Sequence, residues 1–154
     1  MAAPRVPARR ARLRKPPVPR GGPVPDAAAV VFRPAGPVVP AGRRAVVMQE
    51  AAGRVVGRLE YQLCHACRRG YVRNIAVAER WRGRGLAREA LHRALAPALE
   101  YRWYTSRQTA DGRRFFAAMA EETGLAFPAP FLRRGARCPH MTSRRAGVTP
   151  AADR

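Results

Sequence analysis

The sequence is short of acid, of lysine and of aromatic rings. Ten acidic residues stand against thirty basic ones, and Lys15 is the only lysine, so arginine carries the formal charge of +20. Such an imbalance favours polyanionic partners at long range. The preference for arginine over lysine, with abundant Ala, Gly and Pro, also follows from a GC-rich coding sequence. Aromatic residues make up only 7% of the chain, which argues against an extended base-stacking platform for nucleic acid. No apolar run approaches the roughly 20 residues that cross a bilayer, so no helical membrane span is expected. The arginine-rich N-terminus lacks the apolar core of a secretory signal, and a soluble cytoplasmic protein is the expectation. Only three cysteines are present, and in a reducing compartment they are not expected to pair as disulfides.

What is present suits one domain. A chain of 154 residues with 47% hydrophobic residues is long enough to bury a core. Residues 1–26 are the exception, since seven prolines alternate there with Arg5, Arg9, Arg10, Arg12, Arg14, Lys15 and Arg20, and no acid precedes Asp26. Proline removes backbone donors and like charges repel, so this segment is expected to be a disordered basic tail. Weak contact with nucleic acid is its expected use. Residues 142–154 read as a second disordered tail.

Between the tails the pattern alternates clearly. Ala28–Phe32, Ala45–Gln49, Val55–Leu63 and Tyr71–Ala78 read as strands, with the Ala51–Arg54 turn joining the second and third. Leu86, Ala87, Ala90, Leu91, Ala94 and Leu95 then recur at helical spacing over Gly85–Leu95, and Pro97 closes that helix. Tyr101–Ser106 reads as a further strand. Asp111 is expected to cap a second helix, whose Phe115, Phe116, Met119 and Ala120 face the core and which ends at Gly124. Ala126–Leu132 reads as a last strand. Hairpins followed by a crossover helix predict an α+β domain with a mixed, mostly antiparallel sheet flanked by two helices.

The most informative stretch is residues 74–91, a buried strand, an Arg/Gly turn and a helix start. That order aims backbone N–H groups, a helix N-terminus and guanidinium groups at one point, which suits a phosphate or pyrophosphate. An ordinary solvated turn opening a helix uses the same residue types.

A second constellation is Cys64-His-Ala-Cys67 in a turn, with Cys138-Pro-His140 far along the chain. Cys-x-x-Cys plus Cys-x-His makes a Cys3His set suited to a tetrahedral structural zinc, with Cys64, Cys67, Cys138 and His140 as ligands and His65 as a competing fourth. Reduced thiols or a Cys64–Cys67 disulfide are the plain alternatives.

The element order, with Val77-Ala-Glu-Arg-Trp-Arg82-Gly-Arg-Gly85-Leu-Ala87, resembles the GCN5-related N-acetyltransferase (GNAT) superfamily. Its Gln/Arg-x-x-Gly-x-Gly/Ala signature is met by Arg82, Gly85 and Ala87, and two residues earlier by Arg80, Gly83 and Gly85. The later register is preferred because a valine, here Val77, stands five residues before the Arg, and because Trp81 precedes it. Asn74-Ile-Ala-Val77 is similar to the ribosomal-protein alanine acetyltransferases.

The resemblance covers roughly residues 45–127 and implies a GNAT-like domain over residues 27–141 that transfers acetyl from acetyl-CoA to an amine. It implies that Arg82, Gly83, Arg84, Gly85, Leu86 and Ala87 cradle the pyrophosphate, and that Ile75, Ala76 and Val77 hold the pantetheine. The family's usual acid, a tyrosine, would fall on Phe116, which has no proton to give, so Tyr104 or Ser106 is expected to substitute. Glu60 is the expected base, ahead of Glu79 and His65. The usual pair of helices between the first two strands is missing, because Pro34–Arg44 is too short and proline-rich to hold them. A non-catalytic, zinc-stabilised GNAT-fold module binding acyl-CoA or nucleic acid is the other function that these residues allow.

Overall fold

The computed structural model describes residues 26, 29–36, 39–129 and 138–141; the expected tails, apart from Asp26, lie outside them. Five strands form one sheet in sequential order: β1 (Val31–Ala35), β2 (Arg43–Gln49), β3 (Val55–Cys64), β4 (Arg69–Val77) and β5 (Arg102–Thr105). β1 to β4 pair antiparallel, and β5 lies parallel to β4. Helix α1 (Leu86–Leu95) makes the crossover that a parallel pair requires, and α2 (Ala110–Thr123) follows β5. This is the expected α+β arrangement, a mixed and mostly antiparallel sheet flanked by two helices. Among the described residues no helix separates β1 from β2, and the two strands run antiparallel from Val31↔Gln49 to Ala35↔Ala45.

Period-two alternation divides the sheet into two chemically different faces. Val46, Met48, Leu59, Tyr61, Leu63, Val72 and Trp103 share one face and one core with Leu86, Ala90, Leu91, Ala94 and Leu95 of α1 and Phe116 and Met119 of α2. Both helices therefore cover the same face. The opposite rows are polar: Arg43↔Gln62 continues to Tyr71 and Tyr104, and Cys64↔Arg69 continues to Arg102. A separate small cluster of Ala41, Cys64, Cys138 and Met141, with Cys67 and Tyr71 against it, sits at the β3–β4 hairpin end.

Several boundaries differ from the sequence expectation. β1 begins at Val31 rather than Ala28 and runs through Pro34, which an edge strand tolerates because its outer N–H groups need no partner. The cap of α2 is Thr109, not Asp111: Thr109 Oγ1 accepts from Gly112 N at 3.1 Å, and Asp111 stands inside the first turn. Ala87, expected in the core stripe, is only half-buried and borders a cleft. The expected last strand is not formed over residues 126–129, although Pro128 O accepts from Thr105 N at 3.0 Å; residues 130–132 lie outside the described set.

Candidate functional site

The site begins where β4 and β5 part. Their pairing runs from Arg69↔Arg102 to Val72↔Thr105, and Ser106 N makes the last bond, to Val72 O at 2.9 Å. Beyond that fork β4 continues to Val77 with only β3 beside it, so among the described residues no strand pairs with its other edge over Asn74–Val77. Side-chain and backbone groups along that edge face a cleft of about 740 Å³. That volume is in the range of small-molecule and cofactor sites.

The far end of the cleft is the Arg/Gly turn. A short 3₁₀ turn at Glu79–Trp81 buries Trp81 and leads into Gly83 and Gly85, whose φ values are +71° and +75°. Those left-handed conformations suit glycine, and a Cβ added at either position would meet no atom within 4 Å, so the space above the turn is open. The first intrahelical bond of α1 runs from Glu89 N to Gly85 O at 2.9 Å. The N–H groups of Leu86, Ala87 and Arg88 therefore point out of the helix end and need partners from elsewhere. Arg82 Nε donates to Val77 O at 3.0 Å, bracing the turn against the strand end, and Arg84 Nε donates to Arg80 O at 3.3 Å, bracing the turn on itself. The turn thus presents backbone donors and positive charge to one open space.

One wall of the cleft comes from α2. Phe115 and Phe116 stack edge-on with ring centres 5.1 Å apart, and both border the cleft. Arg88 borders it from α1 and is gripped by Glu122, with Nη2 to Oε1 at 2.6 Å and Nε to Oε2 at 2.7 Å. His92 Nε2 lies 2.6 Å from the same Oε1. Hydrogen bonds from Arg88 and then His92 hold the Glu122 carboxyl down to about 2. These contacts tie the two helices together beside the cleft.

Of the residues expected to bind a cofactor, Ile75, Ala76, Val77, Arg82, Gly83, Gly85, Leu86 and Ala87 border the cleft, while Arg84 braces the turn behind it. Ser106 lies at the fork, and its Oγ donates to Arg73 O at 2.6 Å. Tyr104 is outside the cleft lining, with the Arg69 guanidinium 5.9 Å from its ring centre. Glu60 stands opposite Asn74 on the polar face and accepts from Arg58 Nε at 3.0 Å. Glu79 and His65 border neither the cleft nor the fork, and His65 Nδ1 lies 2.7 Å from the Tyr101 hydroxyl. Sequence reading missed Asn74, Thr105, Arg107 and Gln108 as cleft residues. The polar run Ser106–Thr109 directly after a strand was the available signal.

The cysteine constellation closes in space. One ligand atom from each of Cys64, Cys67, Cys138 and His140 lies within 4.8 Å of all the others. His140 Nδ1 is 3.3 Å from Cys64 Sγ and 3.4 Å from Cys67 Sγ. Ligands about 2.0–2.3 Å from one tetrahedral ion stand at such separations from each other, so the set fits a zinc ion. Cys67 N approaches Cys64 Sγ at 3.4 Å, an N–H···S contact that favours a thiolate. Withdrawal from water and the neighbouring Cys64 and Cys138 thiols push the Cys67 thiol up to about 11. Burial also works against Cys138, but hydrogen bonds from Cys64 and from the backbone N–H groups of His140 and Met141 outweigh it and lower that thiol. His65 is not part of the set.

No curated protein matches the chain. Among solved structures, one described as a candidate acetyltransferase from Deinococcus radiodurans R1 is 25% identical, with a TM-score of 0.45, covering 59% of this chain and 61% of its own. The GNAT family N-acetyltransferase YhbS from Escherichia coli, in complex with CoA, is 26% identical, with a TM-score of 0.38 and coverage of 49% and 48%. A ribosomal-protein-alanine N-acetyltransferase from Brucella melitensis is 23% identical, with a TM-score of 0.41 and coverage of 50% and 62%. The chain thus spans between about half and two thirds of the length of these three structures. The model of the acetyltransferase (GNAT) family matches residues 17–121, most of the chain. The chain belongs to the GNAT acetyltransferase family.

Proposed function

We propose that this chain is an N-acetyltransferase that moves the acetyl group of acetyl-CoA to an amine. The observation that carries the reading is the cleft itself, which starts at a strand fork and ends at a glycine turn and a helix N-terminus. A phosphorylated thioester fits its two ends differently. The Gly83–Arg88 end offers backbone N–H groups and a favourable helix dipole to a pyrophosphate. The Asn74–Val77 edge, which no strand among the described residues pairs, offers backbone groups to an amide-bearing arm, in the manner of an added strand. With the phosphates fixed at the turn, the thioester comes to the fork beside Ser106.

In the proposed step the amine nitrogen bonds to the thioester carbon and the carbon–sulfur bond breaks. The nitrogen loses one proton and the departing thiolate gains one. Glu60 lies on the face from which an amine reaches the fork, one strand across from Asn74, and we assign it the proton from nitrogen through water. Ser106 is the hydroxyl at the fork, and we assign it the proton to sulfur, given up as its bond to Arg73 O opens and replaced from water, with Tyr104 on the amine's side as its neighbour. Phe116 packs on Phe127 with ring centres 5.4 Å apart and supplies only an apolar wall.

We further propose that Cys64, Cys67, Cys138 and His140 hold a structural zinc. Such an ion would cross-link the 138–141 segment to the β3–β4 hairpin. Its thiolates imply a reducing, cytoplasmic setting. No helix among the described residues is long and apolar enough to cross a membrane. Contact of the basic segment 1–26 with nucleic acid is a further part of this proposal, resting on its charge alone.

The experiment is a thiol-release assay with acetyl-CoA and a panel of amines, with mass spectrometry of the acceptor. A gain of one acetyl group on an amine supports the reading. Acetyl-CoA bound but never consumed would instead favour a non-catalytic acyl-CoA-binding module.

A further inference from the structure

We propose that the cleft carries a subsite for a second phosphate group, the ribose 3′-phosphate of a coenzyme A thioester, and that Arg88 is the residue that reads it. This rests on the acetyl-transfer reading above and adds what the cofactor must carry. Arg88 stands in the first turn of α1 and borders the cleft. Among the described residues its side chain bonds to one carboxylate. Its Nε approaches Glu122 Oε1 at 3.0 Å and Oε2 at 2.7 Å, and its Nη2 donates to Oε1 at 2.6 Å. Those bonds use one edge of the planar guanidinium, and both hydrogens of Nη1 have no partner among the described residues.

The hold on Arg88 comes from the other helix. Glu122 lies in the last turn of α2, and His92, one turn along α1 from Arg88, meets the same carboxylate oxygen at 2.6 Å. One carboxylate is therefore shared by two side chains of α1. The Arg88 side chain is 60% exposed, yet its guanidinium keeps one direction. An unheld arginine of that exposure has to be ordered when a ligand arrives, and fixing one edge beforehand lowers that cost. The edge left over suits a phosphate, which a guanidinium meets with charge-assisted hydrogen bonds.

This place is distinct from the one given to the pyrophosphate. The N–H groups of Leu86, Ala87 and Arg88 open along the axis of α1, at the glycine turn. The Arg88 guanidinium is drawn off that axis towards α2 by Glu122. A ligand that engages both places needs two anionic groups, and in a coenzyme A thioester the second is the phosphate on the ribose. The charge of the lining agrees. Arg82, Arg88 and Arg107 border the cleft against one acid, Asp111, which is itself paired with Arg114. Such a field favours the more highly charged of two otherwise identical nucleotides.

The test is calorimetry of the whole chain with coenzyme A and with 3′-dephospho-coenzyme A, which differ by that phosphate alone. Wild type should bind coenzyme A roughly 10- to 150-fold more tightly, the factor typical of a charged hydrogen bond. Arg88→Gln should bring the two affinities together by weakening coenzyme A and leaving the dephospho form as it was. Glu122→Gln should narrow the preference only in part, since Arg88 keeps its charge and loses its hold. Adenosine 3′,5′-bisphosphate should displace coenzyme A better than AMP does in wild type, and no better in Arg88→Gln. Equal affinity for the two coenzymes in wild type overturns the inference without recourse to any variant. So does an unchanged preference in Arg88→Gln, or an equal loss for both ligands, which would place Arg88 on the pyrophosphate. Failure of wild type to bind either coenzyme would instead overturn the acetyl-transfer reading.

Discussion

Replacing Gly85 with alanine separates backbone strain from ligand contact. Gly85 has φ +75°, and an added Cβ would meet nothing within 4 Å. The substitution therefore introduces no internal clash, only a left-handed alanine, at about 1–2 kcal/mol. For a chain of this size that lowers Tm by about 2–8 °C. If the space above the turn is where a pyrophosphate sits, the methyl group also intrudes on the cradle. Loss of one charged hydrogen bond is worth about 1.5–3 kcal/mol, or roughly 10- to 150-fold in affinity for acetyl-CoA.

Gly53→Ala is the matched control. Gly53 has φ +82° in the β2–β3 turn, again with nothing within 4 Å of an added Cβ. It should show a similar fall in Tm and no change in affinity. Differential scanning calorimetry and titration with acetyl-CoA measure the two effects separately. Equal affinity in wild type, Gly85→Ala and Gly53→Ala, with the expected loss of Tm in both variants, would refute the cradle.

Further outcomes follow from other parts of the molecule. Thr109→Ala removes the oxygen that accepts from Gly112 N, and it should lower stability by about 0.5–2 kcal/mol in denaturant unfolding. Asp111→Ala, removing a first-turn charge rather than the cap, should cost less. Metal analysis should find one zinc per chain. At free zinc 1,000-fold above Kd the ion contributes about 4 kcal/mol, so chelation should lower Tm by about 8–16 °C. The Glu122 carboxyl, held at about 2 against an ordinary 4.5, adds stability that is present above about pH 4.5 and lost as pH falls toward 2. Wild type and Glu122→Gln should therefore converge in Tm at the acid end, and a gap that widened on acidification would contradict the assignment.

Local signals carried much of the fold. The α1 stripe was legible because five of its six apolar positions are buried at helical spacing, and Ala87 left the stripe only because the helix end opens onto the cleft. The Arg/Gly turn was legible for a similar reason, since its two glycines are both needed at positive φ. Thr109 and Asp111 are both good capping residues two positions apart, and only the backbone path decides between them. The meeting of Cys64 with His140, 76 residues later, was visible as a ligand pattern but not as a distance. The grip of Glu122 on Arg88 was beyond sequence reading. The two stand 34 positions apart on different helices, and an exposed ion pair gives no periodic signal.

The proposed chemistry depends on acetyl-CoA occupying the cleft from the β4–β5 fork to the Gly83–Arg88 turn. Calorimetric titration of the whole chain with acetyl-CoA tests it most directly. Saturable binding of one equivalent per chain is expected, weakened when Arg82 and Arg84 are both changed to alanine, because the turn they brace loses its shape. Absence of binding at near-millimolar acetyl-CoA would contradict it.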